Sequence, residues 1–403
     1  MRRRLDIDAL RGLMLVLMTF THLPTRFASP FGQPLGFVSS AEGFVFLSAF
    51  MCGWIYSERA KRDGLFRMRR ALWQRAAALY TCQSALLVFL LTIVASIARA
   101  HGQTAITDLI SFFSRDPATA LTAGFALVYN PPLLDILPMY VVLLAATPLL
   151  LSFGQRRSWW PIFGLSAALW TLAQFGVGRA LYQAIADAIG LDLPVTETGA
   201  FSLLAWQFLW VGGLWMGSLK ASEAPRGLAA PKWAIAPAIA IAAVCLVWRH
   251  VAGQVPVPFP HEAGHAINML FDKWELAPLR LVNFFALLVL VLRFGPWLAR
   301  HVPLQFLARL GAASLPVFCA HLVICLLALA IVGDHYEDRS WIVDVVMVVG
   351  AFAALYAVAE FVELEYHSRG AAHGQYAPLN SRSGRSPIST AHNPSRSSGA
   401  RRA

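Results

Sequence analysis

The apolar stretch DIDALRGLMLVLMTFTH carries three residues that chemistry could use: Asp8, Arg11 and His22. A helix advances ~100° per residue, so the step from Arg11 to His22 returns to within about 20° of whole turns. The guanidinium and the imidazole therefore share a face, roughly 16 Å apart along the axis. Asp8, about one turn before Arg11, falls on nearly the same stripe. Ionisable groups in lipid are expensive unless they face a protein interior or a wet cavity, so this set reads as a polar track running into a membrane. The plainer alternative leaves Asp8 and Arg11 at the headgroups and only His22 to be explained. Neutral imidazole is the usual group for taking a proton from a hydroxyl near neutral pH. Glu42 stands alone ahead of GFVFLSAF in the next apolar run, at comparable depth if the two runs form a hairpin. It could orient and stabilise a His22 imidazolium, or simply pair with Arg26 at the interface.

Further candidates lie downstream. The run RAKRDGLFRMRRALWQR at 59–75 is what any cytoplasmic loop tends to be. Arg70 and Arg75, however, enter the third apolar run, where arginines can clamp phosphates bidentately. His321 in a late apolar run is a second intramembrane imidazole, functional or a hydrogen-bonded core histidine. Asp135 and Arg280 stand near the ends of apolar runs beside aromatic residues, where interface charges are common. The segment HEAGH at 261–265 matches the zinc-protease pattern, with His261 and His265 as ligands, Glu262 as base, and Asp272 or Glu275 as a third ligand. Its context is wrong for that chemistry: PVPFP runs directly into it and Gly264 weakens a helix. No metal is expected.

The elements that must hold these residues are membrane helices. The chain of 403 residues is 57% hydrophobic and 14% charged, where soluble domains carry about 25% charged residues. Its apolar windows predict an all-α, polytopic integral membrane bundle of about ten transmembrane helices. They lie near 9–28, 36–57, 73–98, 134–153, 159–180, 201–219, 233–251, 280–298, 312–333 and 341–364. Basic residues concentrate at 2–4, 59–75, 155–157, 220–232 and 300–309. The positive-inside rule puts those segments and both termini in the cytoplasm. The same placement accounts for the net charge of +11 without nucleic acid. The N-terminus reads as a retained first span. Residues 1–366 form the transmembrane domain, and the Ser-, Arg-, Gly- and Pro-rich stretch 367–403 reads as a disordered basic cytoplasmic tail. The five cysteines lie in apolar runs without a CxxC pair and read as small core residues.

Arg11 and His22, ten residues between them, resemble the R-x10-H signature of the membrane-bound acyltransferase-3 superfamily. FVFLSAF, with Ser48, is similar to the FFVLSGF of its second helix, and Arg67, Arg70 and Arg75 resemble its basic entry to the third. LGAASLPVFCAH resembles its late helix, with the pattern G-x-x-S-x-x-x-[FY]-x-x-H. AEGFVFLSAF, LLDILPMYVVLL, LLAWQFLWVGGLW and LAPLRLVNFFAL resemble one branch, the OpgC-like proteins that succinylate osmoregulated periplasmic glucans. Two details depart from the pattern: no proline follows the arginines of the third helix, and Pro316 interrupts the late motif. The resemblance implies an O-acyltransferase of the bacterial inner membrane. It has no tightly bound cofactor; acyl-CoA, succinyl-CoA by the branch, is the donor and a periplasmic glucan or other extracytoplasmic glycan the acceptor. It also implies roles. His22, Arg11 and Glu42 would be catalytic, and Arg67, Arg70 and Arg75 would hold the CoA phosphates. Asp8, Ser48, Asp135, Arg280 and His321 would bind or support substrate. The competing class is a proton-coupled transporter using Arg11, His22 and Glu42 as a relay. Such a protein should show broken spans in corresponding halves, and Pro138 and Pro316 do not correspond.

Overall fold

The computed structural model describes residues 5–222, 230–251, 253 and 269–372. Every regular element among them is helical, as expected of a chain that must satisfy its backbone hydrogen bonds within each segment in lipid. The chain begins with α1 (Leu5–His22), α2 (Ser40–Asp63) and α3 (Leu65–Ala100), the last with a π-helical turn at Leu90–Val94. Short helices between Thr104 and Phe125 lead to α4 (Ile136–Arg156). Next come α5 (Trp160–Gln174) and α6 (Val177–Ile189), bent by 81° at their junction. Then follow α7 (Leu203–Ser222), α8 (Lys232–Val251), α9 (Pro278–His301), the short α10 (Gln305–Ala312), α11 (Ser314–Val332) and α12 (Trp341–Ala372).

Among the described residues, seven helices are long and apolar enough to cross a membrane, or eight if the bent pair is one span. Each of the ten expected segments contains helix, yet length and composition alone do not reach ten. Helix α1 carries Asp6, Asp8 and Arg11, and α2 carries Glu42 with Ser40, Ser48 and Ser57. These residues keep both below the apolarity of a lipid-facing span. The expected single span at 159–180 is the bent pair instead. Gly176, at φ +73°, adopts the left-handed conformation that turns the chain there.

Packing around the polar helices depends on small residues. A side chain at Gly12 would strike the carbonyl of Leu307, and one at Gly311 the carbonyl of Asp8, so α1 and α10 touch backbone to backbone. Gly53 meets Leu214 and Gly217 meets Phe50 in the same way, joining α2 to α7. Trp210, fully buried, donates from Nε1 to Thr147 Oγ1 at 3.0 Å and ties α7 to α4. The compact body comprises Met1–Val362, and Glu363–Ala403 forms a separate unit. Residues 261–265 and 373–403, with the HEAGH segment and most of the expected tail, lie outside the described residues.

Candidate active site

Helices α1 and α11 meet along one seam because both keep their polar residues on one stripe. On α11, Ser314 and His321 are seven residues apart, which is two helical turns. At one end of the seam, Arg11 donates from Nη2 to Ser314 Oγ. At the other, His22 Nδ1 lies 3.1 Å from His321 Nε2, the rings stacked with centroids 5.1 Å apart and planes at 20°. His321 is fully buried, and its Nδ1 faces Thr19 Oγ1 at 3.5 Å and Cys325 Sγ at 3.4 Å. The Thr19 hydroxyl already donates to the Leu15 carbonyl at 2.8 Å, so it can only accept from His321. A proton on His321 Nδ1, donated to Thr19, goes with one on His22 Nδ1, whereas a thiol proton given by Cys325 to His321 Nδ1 goes with the opposite pair of tautomers. In the first arrangement His22 Nε2 is a lone pair, the state a general base requires.

His22 opens onto a cavity of about 640 Å³, which Asp135, Phe201, Lys273 and Trp274 also line. An adjoining cavity of about 600 Å³ shares Asp135, Gly199 and Trp274 and reaches Arg179, Tyr182 and Glu275. Aromatic faces among a few polar groups, in a space this large, suit a saccharide. The walls are held firmly. Trp274 N donates to Asp272 Oδ1 at 2.7 Å, and its carbonyl accepts from Trp206 Nε1 and Ser202 N, both at 3.1 Å. Trp170 Nε1 donates to the Leu276 carbonyl at 3.0 Å. Among the described residues three non-glycine residues have positive φ, Leu127, Leu133 and Leu276, and all lie in the loops around these cavities. Such strain persists where surrounding structure enforces it, and it clusters at functional sites. Burial pushes the carboxyl of Asp135, immediately before α4, up to about 6. It raises that of Glu275 and lowers the ammonium of Lys273.

At the Arg11 end a cavity of about 20 Å³ is lined by Arg11, Ser48, Arg75, Tyr140 and Ser314, with no carboxylate among its walls. That is room for about one water. Asp8 stands 3.8 Å from the Arg11 guanidinium, whose buried Nε has no partner. Two guanidinium groups converging on a space without an anion are arranged to receive one, or a polarised carbonyl.

The expectation that Glu42 orients His22 is corrected. Arg280 donates from Nε and Nη2 to Glu42 Oε1 at 2.8 and 2.6 Å, and Ser39 donates to Oε2 from both N and Oγ. Glu42 is thus the reciprocal partner in the capping box of α2 and one half of a fully buried ion pair. Its alternative partner, Arg26, instead binds Asp344 at 2.8 Å. Arg280, expected at a substrate, is the other half of the pair, with Nη1 on the Phe271 carbonyl at 3.3 Å.

The basic entry to α3 is also divided. Arg67 and Arg70 are exposed, whereas Arg75 follows the buried stripe of Met68, Leu72 and Leu79 inward to the small cavity. The five cysteines are free thiols. No cluster of three His, Cys, Asp or Glu able to hold a metal occurs among the described residues. Ser314, Thr19, Lys273 and Trp274 were not singled out in the sequence. Ser314 was visible as the serine of the G-x-x-S motif, two turns before His321. Thr19 stood one turn before His22 on the same face. Lys273 and Trp274 gave no periodic signal.

The chain matches the family model described as OpgC protein over residues 3–366. It belongs to the OpgC family. No curated protein and no solved structure matches it. Family membership gives this OpgC-family protein a role in glucan modification of the transferase kind. It also covers every helix from α1 to α11, so the seam and both cavities lie inside the matched region.

Proposed function

We propose that this OpgC-family protein is an integral O-acyltransferase of the bacterial inner membrane, moving an acyl group from cytoplasmic acyl-CoA to hydroxyls of a periplasmic glucan. Succinyl is the acyl group of the branch it resembles. Both termini are cytoplasmic, residues 1–366 carry the activity and 367–403 are a basic tail. The observation that carries this reading is the seam itself. A histidine faces a saccharide-sized cavity at one end, and Arg11 and Arg75 face a small cavity at the other.

The glucan hydroxyl gives its proton to His22 Nε2 as its oxygen attacks the thioester carbonyl carbon. The new C–O bond forms, the C–S bond breaks, and the departing thiolate takes the proton back from the imidazolium. His321, backed by Thr19, holds His22 in its tautomer, as the third group of a triad does. Arg11 and Arg75 hold the donor along the track, and Arg67 and Arg70, exposed at the start of α3, meet the nucleotide phosphates. With room for about one water at Arg11, donor entry requires α1, α3 and α11 to part around the pantetheine arm.

The test uses cells lacking the protein, complemented by wild type or by His22→Ala at matched membrane levels, with glucan acyl content read by mass spectrometry. Wild type restores acylation, and His22→Ala lowers it by about 10²–10⁴-fold, the usual worth of a general base. Full acylation by His22→Ala would remove that residue from the mechanism. Glucans unchanged by loss of the protein would overturn the whole reading. Acylated glucan retained in the cytoplasm would instead point to export.

A further inference from the structure

Lys273 lies in the wall of the same cavity as His22, on the segment between Asp272 and Ala277 that α7 and α5 hold in place. Its ammonium stands 4.6 Å from the Trp274 ring and 5.7 Å from that of Phe201. Among the described residues it makes no ion pair and no hydrogen bond. The acids whose charge it feels, Glu42 and Asp135, form no ion pair with it. Glu42 is bound by Arg280 and Ser39, and Asp135 accepts from Ala200 N at 3.2 Å. Aromatic faces can hold a cation in place but supply none of the three acceptors an ammonium seeks. A half-buried ammonium without an anion carries a desolvation penalty that an incoming carboxylate would offset. Burial already lowers its pKa, so the site gains most when an anion arrives.

We infer that Lys273, seated between Trp274 and Phe201, receives the free carboxylate of a dicarboxylic acyl group during transfer at His22, and so selects succinyl-type over acetyl-type donors. This rests on the acyl-transfer reading above. In a succinyl thioester the free carboxylate is three carbon–carbon bonds from the reacting carbonyl, roughly 4 Å away. His22 and Lys273 line one cavity, so an acyl group there meets both side chains. An acetyl group ends in a methyl and has nothing to offer the ammonium.

The same anion chemistry could come from the acceptor, as an acidic substituent already on the glucan, and the experiment separates the two. Purified wild type, Lys273→Gln and Lys273→Arg, reconstituted in liposomes, are given labelled succinyl-CoA or acetyl-CoA with a neutral glucan, and then with an anionically substituted one. In Lys273→Gln the succinyl-to-acetyl ratio of kcat/KM falls about tenfold or more, chiefly through KM for succinyl-CoA. Lys273→Arg keeps most of the preference. An unchanged ratio, or an equal fall with both donors, would overturn the inference and leave Lys273 a structural residue. A change in discrimination between the two glucans, with donor preference intact, would overturn it in favour of the acceptor. Wild type that transfers neither group would refute the acyl-transfer reading itself, a result distinct from all of these.

Discussion

Arg280 and Arg11 are both buried arginines, 1% and 8% exposed, yet their surroundings differ in kind. Arg280 places two N–H groups on Glu42 and a third on the Phe271 carbonyl, and the second oxygen of Glu42 is taken by Ser39. Arg11 has the Ser314 hydroxyl and a loosely placed Asp8, while its Nε faces no acceptor. A buried charge that serves the fold is satisfied from all sides, because each missing partner is a desolvation penalty. A buried charge left incomplete beside a cavity is waiting for a ligand. On that criterion the Glu42–Arg280 pair is a fastening between α2 and α9, and the Arg11 to His22 seam is the working part.

The sharpest way to break this comparison is to remove one half of the fastening. Glu42→Ala or Arg280→Ala leaves an unpaired buried charge and should cost about 3–5 kcal/mol, seen as loss of folded protein in detergent. The double variant Glu42→Leu with Arg280→Met removes both charges and should recover most of that stability. Single variants of wild-type stability would contradict the assignment. A smaller effect on stability is expected at the other arginine. Arg11→Met removes an incompletely paired guanidinium and should leave stability within about 1 kcal/mol, while acyl transfer falls about 10²-fold or more. Unfolding of Arg11→Met would place it with Arg280 instead.

The smallest effect is a pH dependence at the cavity wall. Burial raises the carboxyl of Asp135 from the ordinary 3.8 to about 6. Its protonation therefore favours the folded state. That contribution is fully present below about pH 4 and is lost as pH rises through about 6. Asp135→Asn should raise the Tm relative to wild type at about pH 8 and leave no such gain at about pH 4. Equal differences at both pH values would show that burial does not govern this carboxyl.

Much of the working part was legible in the sequence, because helical periodicity is a local signal. Arg11 and His22 on one face follow from spacing, and the late helix with His321 is marked by its resemblance to the family motif. The fastening was not legible. Glu42 and Arg280 are 238 positions apart, and nothing near either residue names the other. The same holds for His22 and His321, each visible alone but joined only by packing across 299 positions. The bend between α5 and α6 had a signal in Gly176, which composition alone read through as one apolar run. Lys273 lay in a loop, where position is set by tertiary hydrogen bonds from Trp206 and Trp170 rather than by period.

The most direct measurement compares transfer of labelled succinyl from succinyl-CoA to glucan by reconstituted protein carrying His22→Ala with that by the Glu42→Leu, Arg280→Met double variant. Transfer should fall by about 10²–10⁴-fold in the first and remain within about tenfold of wild type in the second. Full transfer by His22→Ala, with none by a folded double variant, would move catalysis from the α1–α11 seam to the Glu42–Arg280 pair and contradict the account.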